Sequence, residues 1–534
     1  MRVTYIGHAG LLIEAGDVTV VCDPWLSRHG AFDGGWFQLP QNHHLADMLR
    51  ARHINAIYLS HEHCDHFDPE FLDTLPRDIT LIVPGYPSKE WRAAVRALGF
   101  DEVRFFKSFE EQEVAPGVRV TILHAPTPYF HDSGFVLAED ATGQVLVNLN
   151  DCKISDDQAT EIRRRHPHIT AAFVQFSGAT WFPFVYEFPL EERVAAARQK
   201  VRNGMNRWRK YVHQLDPRWT VPFAGPPALL DRQTRAYGTG PDSIFPNHLD
   251  LLRYLEKEDP ELAARYVMML PGDTLDLATG VWTKDAAMHA GFQWENVGPY
   301  VDAYAERMAP NIAESLAAYP WPEEPLFPAF KVFFEELFAA APGFANQVDA
   351  AVLFTVEGPG GGRWLTDFRR LTVEDVTGDP RPREELCEYE FRADSRFVPP
   401  LLDQRLRWED FPLSFRFHAW RRGVDTYNEN LMAFLRFGRP NELKVQDMLL
   451  ARARRAYSQE SFILRTERGD FEVQQFCPHM GERLGPQHYD AERCAIVCPR
   501  HGWQFSVPDG ACLNARANLR IKPAEAATAG ADPR

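Results

Sequence analysis

Short apolar runs broken by turn residues dominate the first third of the chain. VTYIG, GLLIEAG and VTVVCDPW fill residues 1–25, and INAIYLS (54–60) and ITLIVPG (79–85) follow. VRVTILHA (118–125), GFVLAED (134–140) and QVLVNLND (144–151) continue the pattern. Glycine and Asp-Pro at their ends are strand punctuation. PSKEWRAAVRALGF (87–100) and PLEERVAAARQKVRNGMNRWRKYVHQLD (189–216) carry helical periodicity, with Pro189 suited to a first turn. Strands interleaved with helices predict a layered α/β domain. The pattern then changes. Helical stretches at 296–320 and 330–342 flank the proline-rich PWPEEPLFP (320–328). Strand-like AAVLFTVEG (350–358) and RWLTDFRRLTVEDV (363–376) are joined by a glycine-rich turn, and TYNENLMAFLRF (426–437) closes the unit with a helix. From about residue 455 short strands return: SFILRTERG, DFEVQQF, CAIVCP and WQFSV. The predicted division is 1–290 for the layered domain, 291–454 for an α+β middle domain, 455–525 for a small all-β domain and 526–534 for a flexible tail.

Composition changes this picture little. The chain has 534 residues, 45% hydrophobic and 25% charged, an ordinary globular mixture with enough length for three cores. The net charge of −16 gives no electrostatic footprint for nucleic acid or an anionic membrane. No apolar run approaches the roughly 20 residues of a bilayer span. The N-terminus reads as a first strand, without a small-residue cleavage site. Eight cysteines are too sparse for a disulfide scaffold, so a cytoplasmic setting is expected, in which clustered Cys and His point to metal.

LSHEHCDHFD (59–68) sets His61, His63, Asp65 and His66 directly after the strand INAIYLS. Imidazole and carboxylate donors suit borderline divalent ions such as zinc and iron. Packed together without an ion they would carry a large desolvation and repulsion cost. The HxHxDH pattern after a strand resembles the metallo-β-lactamase superfamily. That resemblance implies a four-layer αββα fold and further ligands: a His before a small-residue turn, supplied by His131 in PYFHDSG with His124 as a rival, and an Asp at a strand end shared by two metals, supplied by Asp151. It also implies a distant final His, for which IFPNHLD offers His248 beside Asn247. One ion then takes His61, His63 and His131, the other Asp65, His66 and His248.

FCPHMG (476–481) and VCPRHGW (497–503) give C-x-H, 18 intervening residues, then C-x-x-H. Two thiolates on one iron and two imidazoles on the other make a Rieske 2Fe-2S centre. Zinc could use the same donor set. The mixed order, the prolines and the Gly-Trp after His501 resemble Rieske domains, which assigns Cys477, His479, Cys498 and His501 to the cluster. Glu482 and Arg500 stand where respiratory Rieske proteins carry an extra cysteine pair, so the oxygenase and ferredoxin kind is the better likeness. Cys494 and Cys512 are expected to be ordinary buried thiols.

A hydrolase has no use for an electron carrier, so the pair of constellations implies a di-iron site fed by the cluster. The combination resembles the cytidine monophosphate-N-acetylneuraminate hydroxylase-like proteins, here with the Rieske motif last rather than first. GGWFQLPQNHH (34–44), QFSGATWFP (175–183) and PFAGPP (222–227) share that likeness. It implies an O2-dependent non-haem di-iron monooxygenase acting on a small metabolite, N-oxygenation of a primary amine being favoured. C-hydroxylation of a sugar nucleotide and a zinc hydrolase with an accessory Rieske domain are the alternatives. Electrons would come from NAD(P)H through an external ferredoxin or reductase, since GPGGGR (358–363) lacks a strand–helix context and reads as a hairpin turn. No nucleic acid or membrane partner is expected, and a homodimer is open. No catalytic residue is expected beyond the metal ligands. Trp36, Gln38, Asn42, His43 and His44 lie on a loop that either covers the site or packs as surface structure, and Ser177 and Trp181 share that status. The basic run 202–210 reads as a solvated helix face more readily than as an anion site.

Overall fold

The computed structural model describes residues 1–126, 131–423, 426–457, 460–478, 482–499, 502–514 and 517–524, except for the side chains of 449–457. Two twisted sheets form the centre of the N-terminal domain. The first has eight strands, in the spatial order Trp282–Thr283, Thr274–Asp276, Arg2–Gly7, Gly10–Ala15, Val18–Cys22, Ala56–Tyr58, Thr80–Pro84 and Glu102–Phe106. The second has six: Trp219–Phe223, Ala171–Gln175, Gln144–Asn148, Ser133–Glu139, Val118–His124 and Glu110–Ala115. Strand alternation sends Val3, Tyr5, Ile13 and Val20 inward against Ile122, Phe135, Leu137 and Phe173 of the second sheet. The opposite faces take helices. Ile6, Leu12, Val21 and Ile57 pack with Leu45, Leu49, Trp91 and Val95, while Val136, Val147 and Val174 pack with Ile162, Trp208, Val212 and Leu251. The result is a four-layer αββα arrangement, as the resemblance implies.

The long helix Val297–Ala317 packs Val301, Tyr304 and Met308 on Phe37, Ala228 and Leu230. It therefore belongs with the N-terminal layers, although the expected boundary at 290/291 precedes it. The middle unit includes the helix Phe327–Ala340. Its five-stranded sheet runs Thr372–Asp375, Gly362–Asp367, Ala351–Glu357, Tyr389–Asp394, Phe417–Arg421. Helix Phe327–Ala340 buries Phe330, Phe334, Leu337 and Phe338 against Phe354, Trp364 and Phe368. The glycine-rich turn does join two antiparallel strands, with Val356 opposite Gly362. A side chain at Gly361 would meet the Val356 carbonyl at 2.1 Å. The C-terminal domain holds two three-stranded sheets around Leu464, Val473, Ile496 and Phe505.

The N-terminal and middle domains share one core. Trp25, Phe32 and Trp36 pack with Phe184 and Phe245 and with Phe397, Phe411 and Phe417. Backbone pairing at Tyr186 and Ala419 continues across the junction. A buried ion pair crosses it too: the Arg416 guanidinium donates to Asp231 at 3.2 and 3.3 Å and to the Asp33 carbonyl at 2.8 Å. The loop at 34–44 is consumed in this packing. Gln38 and Asn42 donate to the backbone carbonyls of Trp25, Ser27 and Ile6, and the His43 Nδ1 lies 3.0 Å from the Leu26 carbonyl. Trp36 is buried and His44 exposed, and none of these residues lines the chamber described below. Removing Asp231 should strand a buried guanidinium. Asp231→Ala is expected to lower stability by about 3–5 kcal/mol, read as a shift of the denaturant midpoint. A change under about 1 kcal/mol would show that the junction does not depend on this pair.

Candidate metal centre

The loop after the strand Ala56–Tyr58 meets Asp23, which follows Val18–Cys22 of the first sheet, and Asp151, which follows Gln144–Asn148 of the second. His61 and His66 are each held through Nδ1, while His63 is engaged at both nitrogens, Nδ1 lying 2.7 Å from His61 Nε2 and Nε2 meeting Glu409. The Ser60 hydroxyl lies 2.9 Å from His61 Nδ1, and Asp23 Oδ2 lies 2.9 Å from His66 Nδ1, which leaves both Nε2 atoms facing the centre. Asp23 is itself held by the Ser60 amide (2.8 Å) and hydroxyl (2.6 Å). Carboxylate–imidazole pairs of this kind orient metal-binding histidines and strengthen them as donors.

Three groups of donor atoms converge: His61, His63 and Asp132; His8, Asp65 and His66; and His61, His66 and Asp151. Asp151, at the end of Gln144–Asn148, thus faces both triads. His66 Nε2 stands 3.8 Å from Asp65 Oδ2 and 3.8 Å from Asp151 Oδ1, and His61 Nε2 stands 3.9 Å from Asp132 Oδ1. Those gaps are too long for hydrogen bonds. They are close to the roughly 3–3.5 Å between ligands that each sit about 2.0–2.2 Å from a shared ion. His66 Nε2 and Asp65 Oδ1 are buried and have no hydrogen-bond partner, a cost that a cation would remove. The donor set therefore fits two divalent ions.

The structure brings together His61, His63, Asp65, His66 and Asp151 as the sequence predicts, but not His131 or His248. His131 spends Nδ1 on Glu62 (3.1 Å) and stacks on Tyr86, and its neighbour Asp132 faces the centre instead. His248 is packed between Trp294 and Phe176, with Nε2 3.2 Å from the Gly225 carbonyl, and burial lowers its pKa to about 4. His8 stands at the cluster instead, with Nε2 3.0 Å from Asp65 Oδ2. His124 is turned to the Phe106 carbonyl. Sequence reasoning missed His8, although it is the one strongly polar side chain in YIGHAGLLI and adopts a positive φ of 51°, a strained conformation often found at sites. It also missed Glu409, which the middle domain inserts to meet His63 Nε2 at 2.7 Å. Arg407 and Arg436 hold Glu409 from behind. No local pattern signals a contact across 346 positions.

Charge balance follows from this packing. Burial pushes His63 down, but the Glu409 carboxylate overrides it and raises the pKa to about 9. Burial likewise opposes charge on His66, and Asp65 and Asp151 overcome it, raising the pKa to about 10. Burial dominates at Asp151 and holds its pKa up, while the histidine cations beside Asp65 outweigh burial and hold it down.

At the other end of the chain, Cys477 and Cys498 are buried in the small C-terminal core. The Cys477 amide donates to the Glu482 carbonyl (2.8 Å) and the Cys498 amide to the Trp503 carbonyl (2.7 Å), which sets both thiols on tight loops. His479 and His501 lie outside the described residues. Cys494 and Cys512 are half-buried rather than buried, Cys494 on a turn and Cys512 in a bridge to Phe505.

One chamber of about 880 Å³ reaches both ends. It is lined by His63, Asp132 and Asp151 on one side and by Cys498, Pro499 and Trp503 on another.

Known proteins share this organisation. Residues 2–163 match a beta-lactamase superfamily domain, residues 326–451 an Rv3818-like, SCP2-like domain, and residues 435–524 a Rieske [2Fe-2S] domain. A Rieske 2Fe-2S iron-sulfur protein of Mycolicibacterium smegmatis is 30% identical over 537 residues, covering 97% of this chain and 98% of the relative. One from Mycobacterium tuberculosis is 31% identical over 540 residues, with the same coverage. The cytidine monophosphate-N-acetylneuraminic acid hydroxylase of Mus musculus is 26% identical over 236 residues, covering 42% of this chain and 39% of that protein. The chain belongs to the family of the mycobacterial Rieske 2Fe-2S iron-sulfur proteins, with a metallo-β-lactamase-fold domain in front and a Rieske domain behind.

Ligands must be unprotonated to bind a metal. His63 and His66 are charged near neutral pH in the metal-free chain, so binding Zn²⁺ or Fe²⁺ should release protons and tighten as pH rises toward 9. Calorimetry of metal-free protein in buffers of different ionisation heat reads this directly. Binding without proton release would contradict the assigned set, and His66→Ala should lose at least one ion.

Proposed function

We propose that the chain is a Rieske-dependent oxygenase whose N-terminal centre holds two iron ions and draws electrons from the C-terminal cluster. The observation that carries this reading is the single chamber touching both His63, Asp132 and Asp151 and the Cys498–Trp503 loop. Two irons bound there would supply dioxygen activation, with the cluster delivering electrons singly. The balance for hydroxylation is R–H + O2 + 2e⁻ + 2H⁺ → R–OH + H2O, and insertion at an N–H bond has the same form. The relationship to a hydroxylase across part of the chain supports the assignment to the oxidoreductases. The electron donor to the cluster is proposed to be a separate ferredoxin or reductase.

The chain's own residues prepare this chemistry. His61, His63 and Asp132 would hold one ion and His8, Asp65 and His66 the other, with Asp151 between them. Gln175 donates to Asp151 Oδ1 at 2.5 Å and limits its rotation. Glu409 fixes the His63 ring from the middle domain, so the centre is complete only when the two domains are docked. The chamber walls carry Phe354, Phe391, Trp408 and Phe417, which give it an apolar side.

His63→Ala is expected to abolish substrate-dependent oxygen uptake while leaving the Rieske spectrum intact. Purified wild-type protein should contain about four irons and two sulfides per chain. Full oxygen uptake by the variant, or two irons accompanied by two zincs in an active preparation, would overturn the reading.

A further inference from the structure

The same chamber has two unlike linings. The middle domain contributes apolar side chains, among them Phe354, Phe391, Val398, Leu401 and Met432. The helix Leu190–Leu215 faces them across the space with Lys200, Arg207 and Lys210. Lys153 joins that side. The basic run that the sequence favours as a solvated helix face thus lines a cavity with part of its length.

These cations are not equivalent. Lys210 pairs with Asp156 at 2.5 Å. Arg421 sits in a box of rings, 4.7 Å from Phe182, 4.9 Å from Tyr186 and 5.7 Å from both Phe188 and Tyr427. Lys200 lies 5.4 Å from the centre of the same Phe182 ring, and among the described residues it forms no ion pair. Burial lowers its pKa to about 7, and Lys153, Arg207 and Arg421 push in the same direction. A half-buried ammonium surrounded by three further cations is poorly stabilised until an anion arrives.

We infer that the chamber binds an amphipathic anion, its extended apolar body against the middle-domain wall and its carboxylate or phosphate group on Lys200, with Lys153 and Arg207 nearby. A volume of about 880 Å³ is at the upper end of the roughly 300–1,000 Å³ of small-molecule sites and exceeds what a short polar metabolite fills. The cationic side repels a protonated amine head group and attracts an acid of the same chain length. The apolar body then extends toward His63 and Asp151, which places its carbon skeleton, rather than its charged head, at the metal centre. This inference rests on the oxygenase reading only in treating the chamber as the substrate site, because binding itself needs no turnover.

The test is calorimetric titration of the purified full-length protein with four C12 ligands below their micelle limits: dodecanoate, dodecyl phosphate, 1-dodecanol and dodecylamine. Dodecanoate or dodecyl phosphate is expected to bind about tenfold or more tightly than dodecanol, with dodecylamine weakest. Whichever acid binds better identifies the head group. Lys200→Gln should erase the preference for acid over alcohol, weakening dodecanoate and dodecyl phosphate by about tenfold. Val398→Trp, which fills the apolar wall, should weaken all four, and an unaltered Rieske spectrum shows that each variant is folded. Equal binding of alcohol and acid by wild type, retention of the preference in Lys200→Gln, or no binding of any of the four would overturn the inference. Selective acid binding without oxygen consumption would instead count against the oxygenase reading and leave the binding site standing.

Discussion

Everything in this molecule depends on buried charge being neutralised at the edge of the two-sheet core. Asp65, Asp132 and Asp151 converge with His8, His61, His63 and His66 in a setting where most of these side chains are buried. Such a cluster is tolerable only if cations occupy it or protons do. The raised pKa values of His63 and His66 show the protonated compromise that the bare side chains reach. Asp23 and Ser60, one layer further out, exist in this arrangement to keep the ring nitrogens aimed. The sheets in turn supply the rigid strand ends from which these loops project.

The middle domain changes the meaning of that centre. It closes one wall of the chamber and inserts Glu409 onto His63, with Arg407 and Arg436 behind it. A metal-binding histidine held by a carboxylate from another domain couples ligand geometry to domain docking. The joint aromatic core of Trp36, Phe184, Phe411 and Phe417 and the Arg416–Asp231 pair keep that docking in place. The Rieske domain reaches the same chamber through the Cys498–Trp503 loop.

Much of this was legible from the residues. Short apolar runs and turn chemistry predicted the layered N-terminal fold, because strands buried on both faces read as unbroken apolar stretches bounded by Gly and Pro. The HxHxDH and Cys-His spacings were legible because metal geometry forces donor types close together in sequence. What escaped was held by contacts at long sequence separation. His8 looked like an interruption in a strand pair, and Glu409 like one acid among many. His131 and Asp132 are adjacent, so the pattern could not say which faces inward; the Glu62 contact decides it. The basic run at 202–210 reads as a surface from its composition alone, and only the middle-domain wall opposite turns part of it into a lining.

On the proposed reading, electrons pass from the cluster to the metal centre within one chain. The most direct measurement is a single-turnover experiment: reduce the Rieske cluster of iron-loaded protein, mix with oxygen-saturated buffer and substrate, and follow cluster oxidation by rapid-freeze electron paramagnetic resonance at several protein concentrations. The account predicts a first-order rate independent of protein concentration and lost when the N-terminal ligands are removed. A rate proportional to protein concentration, or one unaffected by removing those ligands, would contradict it.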